Sequence, residues 1–174
     1  MHVARLQSLD APRYRELMLE AYELAPDAFT STAEERAKEP KAFWVKRIAD
    51  PTGMTEAFGA FDGEELIGTV ALEFSAKPKT KHKALVIGMY VTGAARGRKV
   101  ARALLDAAIE SARTRGGIVG LTLTATEGNK PAISLYRSAG FEVFGIEPMA
   151  ILTPNGYKAK VHMWLHLPHA RPAA

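Results

Sequence analysis

The strongest chemical signal in the sequence is a basic segment rich in small residues, which joins an apolar run to an amphipathic one. Within residues 91–102, glycines and alanines are interspersed with four basic side chains, Arg96, Arg98, Lys99 and Arg102. The first N–H groups of a helix have no acceptor inside that helix and carry partial positive charge, which favours a phosphate group. The segment therefore predicts a site for a phosphate-bearing ligand. An ordinary turn followed by a solvated basic helix face stays open as the alternative.

This segment is neither of two common phosphate-binding motifs. It lacks the Gly-x-x-x-x-Gly-Lys-Ser/Thr pattern of nucleotide-binding loops and the Gly-x-Gly-x-x-Gly pattern of dinucleotide-binding folds. A second segment, residues 129–141, reads Asn-Lys-Pro-Ala-Ile-Ser-Leu-Tyr-Arg-Ser-Ala-Gly-Phe. Asn129 is placed to cap a short helix that Gly140 ends. These two segments together define the candidate site.

The two segments together resemble the GCN5-related N-acetyltransferase (GNAT) superfamily. Arg96 and Ala101 match the ends of its acetyl-CoA loop motif, Arg/Gln-x-x-Gly-x-Gly/Ala, but Lys99 stands where that motif has its central glycine. Residues 129–141 match the superfamily's Asn-x-x-Ala-x-x-Leu-Tyr-x-x-x-Gly-Phe signature. The resemblance covers residues 3–167 and implies one N-acetyltransferase domain in the chain 1–174. Such a domain moves an acetyl group from acetyl-CoA to a primary amine, on a small molecule or a protein N-terminus, by direct attack in a ternary complex.

The resemblance also implies roles for individual residues. Backbone N–H groups of the strand before the loop would face the thioester carbonyl, and Tyr136 would protonate the leaving thiolate. The alternative for Tyr136 is that it is a tyrosine packed in the core. The side chain of Lys99 would have to point away from the pyrophosphate or pair with it. Asn129 would contact the pantetheine arm while capping its helix. The implied cofactor-binding set is Met89, Tyr90, Val91, Arg96, Gly97, Arg98, Lys99, Val100, Ala101, Arg102, Asn129, Ala132 and Tyr136.

A base is needed as well, because an alkyl amine with a pKa of about 10 is protonated at neutral pH. Glu73 is the candidate, since strand alternation puts its side chain on the face opposite its two apolar neighbours. A solvated strand charge is the alternative. Glu34 and Glu35 lie near a predicted helix start, where capping and the helix dipole explain them.

Composition removes several other chemistries. The chain has no cysteine, which excludes disulfides, thiolate metal sites and a thiol nucleophile. No serine sits in a nucleophile elbow. The histidines are scattered, and only His162 and His166 share a strand face, so we predict no metal site. The lysine-rich segment 77–83 is predicted to be a solvated loop, with attraction of an acidic acceptor or RNA as the alternative.

Bulk properties predict one globular domain. The 174 residues are 47% hydrophobic and 24% charged, with a net charge of +4 and a pI of about 9.4, which suits an anionic ligand. No charge-free run approaches the ~20 residues of a membrane span. No apolar segment follows Met1, so we expect no secretory signal and predict a cytoplasmic protein.

Two non-catalytic functions stay open, an acyl-CoA sensor and a basic nucleic-acid-binding module. Aromatic residues are not interleaved with the basic ones, and no nucleic-acid motif is present, so we expect no nucleic-acid partner. We expect a small-molecule or peptide amine as the partner instead. The resemblance leaves a homodimer open, and the identity of the amine is not encoded in any motif.

The elements that must position these residues follow from periodicity. Apolar or alternating runs predict strands at 3–9, 54–61, 66–74, 84–91, 118–124, 141–146 and 160–167, with 84–91 buried on both faces. Helical spacing predicts helices over 10–24, 33–48 with a break at Pro40, 96–115 and 129–139, and a frayed tail from residue 168. This order predicts a mixed α/β domain. The resemblance implies a central, mostly antiparallel twisted sheet of about seven strands flanked by helices.

Overall fold

Seven strands form one sheet in the computed structural model, which describes residues 1–168. Residues 169–174, which include most of the predicted frayed tail and His169, lie outside the described part. The strands are β1 (His2–Arg5), β2 (Thr55–Asp62), β3 (Glu65–Phe74), β4 (Lys83–Val91), β5 (Gly120–Thr126), β6 (Glu142–Thr153) and β7 (Gly156–His166). The helices are α1 (Ala11–Leu24), α2 (Ala33–Ala37), α3 (Lys41–Ala49), α4 (Val100–Thr114) and α5 (Lys130–Ser138).

The order of strands in the sheet is β1-β2-β3-β4-β5-β7-β6. Neighbouring strands run antiparallel except β4 and β5, which are parallel and joined by the crossover helix α4. The predicted fold class, a mixed α/β domain with a mostly antiparallel sheet and flanking helices, is confirmed.

Two hydrophobic cores pack against opposite faces of this sheet. On one face, α4 buries an apolar stripe at helical spacing that includes Leu104, Leu105 and Ala108, and α5 joins the same core through Tyr136. On the other face, α1 and α3 pack around Tyr14 and Trp44. Each fully buried leucine contributes roughly 1.5–3 kcal/mol relative to an exposed one, so both faces of the central strands are held by packing.

An extra residue in β4 changes which core its side chains enter. Ala71 of β3 pairs with Ile87, and Thr69 pairs with Tyr90, so one β3 residue stands opposite both Gly88 and Met89. Gly88 has a φ of +63°, a conformation that suits glycine. Regular alternation would place Val86 and Tyr90 on the same face, but the bulge sends Val86 into the α4 core and Tyr90 into the α1 core.

The main helix begins later than the sequence predicts. We expected a helix over 96–115, whereas α4 starts at Val100. Gly97 and Lys99 have φ values of +76° and +62°, which no right-handed helix accommodates. The preceding residues instead form a short 3-10 helix over Gly93–Ala95 and a turn over residues 96–99.

The strand predictions need correction at their ends. β1 stops at Arg5, because a turn over Ser8–Asp10 leads into α1. The last two strands are longer than expected and form one hairpin, in which β6 continues past Pro148 to Thr153. β6 is the edge strand of the sheet, where a proline is tolerated because no neighbour needs its missing N–H.

Candidate active site

A cleft passes through the sheet where β4 and β5 separate. The two strands pair only from Lys83, Ala84 and Leu85 to Gly120, Leu121 and Thr122. Beyond these three pairs they diverge around a cavity of about 750 Å³, lined on its two strand walls by residues 86–91 and 124–126. The prediction that 84–91 is buried on both faces is therefore wrong for Ile87, Gly88 and Met89. These three residues are only partly buried, because they form a wall of the cleft.

The cleft opens on both faces of the sheet, and we name its two openings by what lines them. The amide side is lined from α4 and α5 and from the segments before them, by Arg96, Ala101, Asn129 and Ala132. The arginine side is lined from α1, α2, α3, β3 and the connection between α1 and α2, by Tyr22, Phe29, Arg36, Arg47 and Glu73.

Unpaired backbone donors border the amide side. Within residues 1–168, none of the six N–H groups of residues 97–102 donates a hydrogen bond to a protein acceptor. The first N–H of α4 with such a bond is that of Ala103, which donates to the Lys99 carbonyl at 3.1 Å. Six free donors at the start of a 15-residue helix make a concentrated site for an anion.

Lys99 adopts the backbone conformation that the family motif assigns to glycine. Its φ of 62° and ψ of 17° are left-handed, and its side chain is exposed at the first position before α4. A lysine in this conformation costs roughly 1–2 kcal/mol. The substitution therefore keeps the shape of the loop at an energetic cost and leaves the backbone donors in place.

The basic side chains of the loop differ in what they contact. Arg96 lines the cleft, and its Nε donates to the Val91 carbonyl at 3.4 Å. Arg98 is 2.7 Å from Asp62, and this guanidinium holds the pKa of the Asp62 carboxyl below its usual range. Arg102 pairs with a carboxylate one helical turn along α4, at 2.8 Å. Of these side chains, only that of Arg96 is oriented to meet a ligand in the cleft.

The cofactor-binding residues expected from the sequence divide into two groups. The cleft is lined by Met89, Tyr90, Val91, Arg96, Ala101, Asn129, Ala132 and Tyr136. The side chains that do not line it are those of Arg98, Lys99, Val100 and Arg102, and Gly97 does not line it either. The Val100 side chain is buried in the core under α4, and the unpaired backbone N–H groups are what this segment offers to a ligand.

Tyr136 lies in the cleft on α5. Asn129 caps this helix as predicted, with its Oδ1 accepting from the Ala132 N–H at 3.3 Å. The Tyr136 ring packs edge-on to Phe141, and its hydroxyl has no hydrogen-bond partner in the described chain. Burial raises the pKa of Tyr136 to about 12, so the hydroxyl stays protonated at neutral pH.

Tyr90 holds the β4 wall against α1. Its hydroxyl donates to Glu20 Oε1 at 2.9 Å. Burial, together with this carboxylate, raises the pKa of Tyr90 to about 12. The side chain is therefore anchored to α1, and Glu20 is a contact that no sequence motif indicated.

The three glutamates considered as bases differ in their position relative to the cleft. Glu73 is exposed and lines the arginine side of the cleft, on the face of β3 that packs toward α1 and α3. Glu34 pairs with Lys38 at 3.2 Å, and Glu35 forms the predicted capping box with Thr32. Neither of these two glutamates lines the cleft. Glu73 is thus the only one of the three in a position to meet an acceptor.

The sequence did not indicate several residues of the arginine side. Arg36 and Arg47 line it from α2 and α3, and burial raises the pKa of Tyr22 between them. A signal existed for Arg47, because it stands on α3 between the buried residues Trp44 and Ile48, where a solvated charge is unusual. Lys160 was missed as well: it is buried beside the cleft, and burial lowers its pKa although Glu147 opposes this change.

Among the residues that the structure describes, no group of three or more His, Asp or Glu residues is arranged to hold a metal ion, and His162 is occupied by Glu147 at 2.9 Å. In residues 1–168, no helix combines the length and apolar character of a membrane span.

Comparison with known proteins gives consistent matches. The family model described as Acetyltransferase (GNAT) family matches residues 16–141, which is most of the chain. The L-amino acid N-acetyltransferase AaaT of Escherichia coli K12 is 30% identical over 102 residues, which are 59% of this chain and 62% of that protein. The chain thus matches less than two thirds of this relative's length.

Two solved structures share the whole architecture. A GCN5-related N-acetyltransferase from Kribbella flavida is 26% identical, with a TM-score of 0.80 and coverage of 95% of this chain and 97% of that one. The putative acetyltransferase yncA of Salmonella typhimurium, solved with its cofactor acetyl-CoA, is 21% identical with a TM-score of 0.80, covering 100% and 98%. The family predicted from the two motifs is confirmed: the chain belongs to the acetyltransferase (GNAT) family.

Proposed function

We propose that this chain transfers the acetyl group of acetyl-CoA to a primary amine by direct attack within a ternary complex. The observation that carries the proposal is the row of six unpaired N–H groups of residues 97–102, at one opening of a cleft that crosses the sheet. Family membership supports it. The proposed partners are acetyl-CoA and a small-molecule or peptide amine, in the cytoplasm.

The residues of the amide side fit acetyl-CoA. A diphosphate needs several hydrogen-bond donors close together, and the start of α4 offers six beside the Arg96 guanidinium. Beyond them the cleft is lined by the apolar side chains of Met89, Ala132 and Leu135, which suit a slender chain. When bound there, acetyl-CoA would supply an activated acetyl thioester.

Tyr136 is placed to serve the leaving sulfur. Its hydroxyl is a free donor in the cleft, and a pKa of about 12 keeps its proton in place. A thiol has a pKa of about 8.5, so the phenol is the weaker acid of the two. Tyr136 therefore acts by donating a hydrogen bond to the sulfur as negative charge develops on it.

Glu73 would receive the proton of the amine, directly or through water. It lines the cleft on the side opposite to the free amides, so the amine would enter through the arginine side. The backbone of residues 89–91 lies between the two openings, where its N–H groups would meet the acetyl carbonyl. Both ligands can then reach one point from opposite faces of the sheet.

The test is release of free thiol from acetyl-CoA in the presence of a pooled amine library, with coenzyme A affinity measured in parallel by calorimetry. We expect turnover that depends on the amine. Absence of coenzyme A binding would overturn the proposal. Tight binding without turnover would favour the acyl-CoA sensor, and strongly salt-dependent retention of DNA would favour the nucleic-acid-binding module.

A further inference from the structure

The arginine side of the cleft carries more positive charge than the proposed steps use. Arg36 and Arg47 come from different helices, yet both guanidinium groups lie over the ring of Phe43, at 4.8 and 5.6 Å from its centroid. Tyr22 lies near both and is packed edge-on against Phe29 at 5.1 Å. The two arginines therefore form one cluster that faces the cleft.

Hydrogen bonding in this cluster is incomplete. The Nε atoms of Arg36 and Arg47 are buried and have no partner in the described chain. Arg36 has one carboxylate neighbour, Glu39, at 3.3 Å. Arg47 has no carboxylate within ion-pair distance among residues 1–168. Burial lowers the pKa of Arg47, but the neighbouring Tyr14, Tyr22 and Glu73 outweigh this and raise it above its ordinary value. Unpaired guanidinium donors are costly to bury, so the cluster can take a further group with acceptor oxygens.

The imbalance is specific to this region. Four buried side-chain polar atoms lack a partner in the described residues, and all four can donate a hydrogen bond: Tyr14 OH, Arg36 Nε, Trp44 Nε1 and Arg47 Nε. All belong to α1, α2 and α3, and Phe43 and Trp44 connect them by ring contacts. Of the four residues, only Arg36 and Arg47 line the cleft. A ligand with acceptor oxygens offers them more acceptors than an amine does, because the single lone pair of the amine is needed for attack.

We propose that the acceptor is a free amino acid whose carboxylate pairs with Arg47 and Arg36 while its amine lies toward Glu73. This inference rests on the proposed acetyltransferase function. A guanidinium presents a planar fork of donors that matches the two oxygens of a carboxylate, and desolvation on the Phe43 ring strengthens the pairing. The cluster and Glu73 then recognise the two opposite charges of an amino acid.

The chemistry balances with these groups. The amine nitrogen forms the new bond to the acetyl carbon as the carbon–sulfur bond breaks. The ammonium of the amino acid first gives one proton to Glu73 or to water, which frees the lone pair for attack. The second proton is lost from the nitrogen after attack and reaches the departing sulfur through water, so coenzyme A leaves as the thiol. The carboxylate takes no part in bond formation and serves only to hold the amino acid in place. A peptide N-terminus has an amide where a free amino acid has its carboxylate, so this site disfavours peptides.

The first test uses the unaltered protein and varies the acceptor. Each amino acid is compared with its primary amide and with the amine that lacks the carboxyl group, for example L-leucine, L-leucinamide and 3-methylbutylamine. We expect kcat/KM to fall roughly 10- to 100-fold in the amide and the amine, as for loss of a charge-assisted hydrogen bond. Amides and amines acetylated as fast as the amino acids would overturn the inference and leave the proposed function intact. Failure of every acceptor together with loss of coenzyme A binding would overturn the proposed function itself.

The second test varies the protein. Arg47→Gln should lower kcat/KM for the amino acid by about the same factor, roughly 10- to 100-fold, and leave the amide and amine within about threefold. For Arg47→Lys, kcat/KM for the amino acid should lie between the values of the native protein and of Arg47→Gln, because lysine keeps the positive charge but lacks the planar pair of donors. Equal losses for all three acceptors would show a structural role and overturn the inference. Arg113→Gln, on the exposed face of α4, is the matched control, and an unchanged coenzyme A affinity confirms that each variant is folded.

Discussion

The two sides of the cleft offer ligands different kinds of partner. The amide side presents backbone N–H groups from one continuous segment, residues 97–102. The arginine side presents side chains from four elements, spread along the chain from Tyr22 to Glu73. Backbone donors do not depend on side-chain identity, and Lys99 keeps the loop's shape where the motif has glycine. Substitutions should therefore matter most where a side chain is itself the functional group.

The largest effect is expected for Tyr136, whose hydroxyl is a single side-chain group between the two openings. Tyr136→Phe removes the hydrogen bond to the leaving sulfur and should lower kcat by about 100-fold or more, as for loss of other hydrogen-bond donors to a developing negative charge. Coenzyme A affinity, measured by calorimetry, should change less than about threefold because the amides are untouched. Tyr157→Phe, at an exposed position of β7, is the control. Unchanged turnover would remove Tyr136 from the reaction.

The same residue gives a prediction for stability at high pH. The unfolded chain loses the Tyr136 proton near the ordinary tyrosine pKa of 10.0, whereas the folded chain keeps it up to about 12. Its contribution is therefore fully present below pH 10.0 and is lost as pH rises through about 12. We expect the free energy of unfolding to fall by about 2–3 kcal/mol more in the native protein than in Tyr136→Phe across this range. Urea denaturation of both proteins at several pH values measures this, and parallel curves would contradict it.

Arg96 and Arg98 separate a side chain that faces the ligand from one that does not. Arg96→Ala should weaken coenzyme A binding by about tenfold, since its guanidinium lines the cleft. Arg98 is held by Asp62 outside the lining, so Arg98→Ala should change affinity less than about threefold. Calorimetry on both single variants and on the double variant decides the point. Equal losses would mean that Arg98 leaves Asp62 when the ligand binds.

The smallest effect is expected at Lys99. Lys99→Gly removes the cost of a left-handed lysine but adds freedom to the unfolded chain, so the net gain in stability should be about 0.5–1 kcal/mol. That corresponds to a melting temperature higher by about 1–4 °C. Lys79→Gly, in the exposed turn before β4, gains no such relief and serves as the control. A lower melting temperature for Lys99→Gly would show that the lysine side chain stabilises the loop.

The amide side could be predicted largely because its signals are local in sequence. A helix start, a cap and an apolar stripe are each set by residues a few positions apart. The Asn129 cap and the α4 stripe are present as expected. The start of α4 was misplaced, because left-handed residues at Gly97 and Lys99 were not apparent from composition alone.

The arginine side was not predictable in this way. In the sequence, Arg36 and Arg47 look like ordinary charged residues on helices. In the structure, both guanidinium groups lie over one aromatic ring, that of Phe43. Their shared position depends on how α2 and α3 pack, and no short spacing in the sequence encodes it. The extension of β6 past Pro148 was missed for a related reason, since the proline is acceptable because of its place at the sheet edge and in the irregular pairing between Glu147 and Ile151.

The bulge at Gly88 sets how β4 tolerates changes in length. Removal of Gly88 would restore plain alternation and leave Tyr90 opposite Thr69 and Val91 opposite Gly68, so each of these side chains would keep the core that it enters now. A deletion in the turn 77–81 shifts only exposed or half-exposed residues. A scan of single-residue deletions should therefore yield folded protein both from the turn and from position 88.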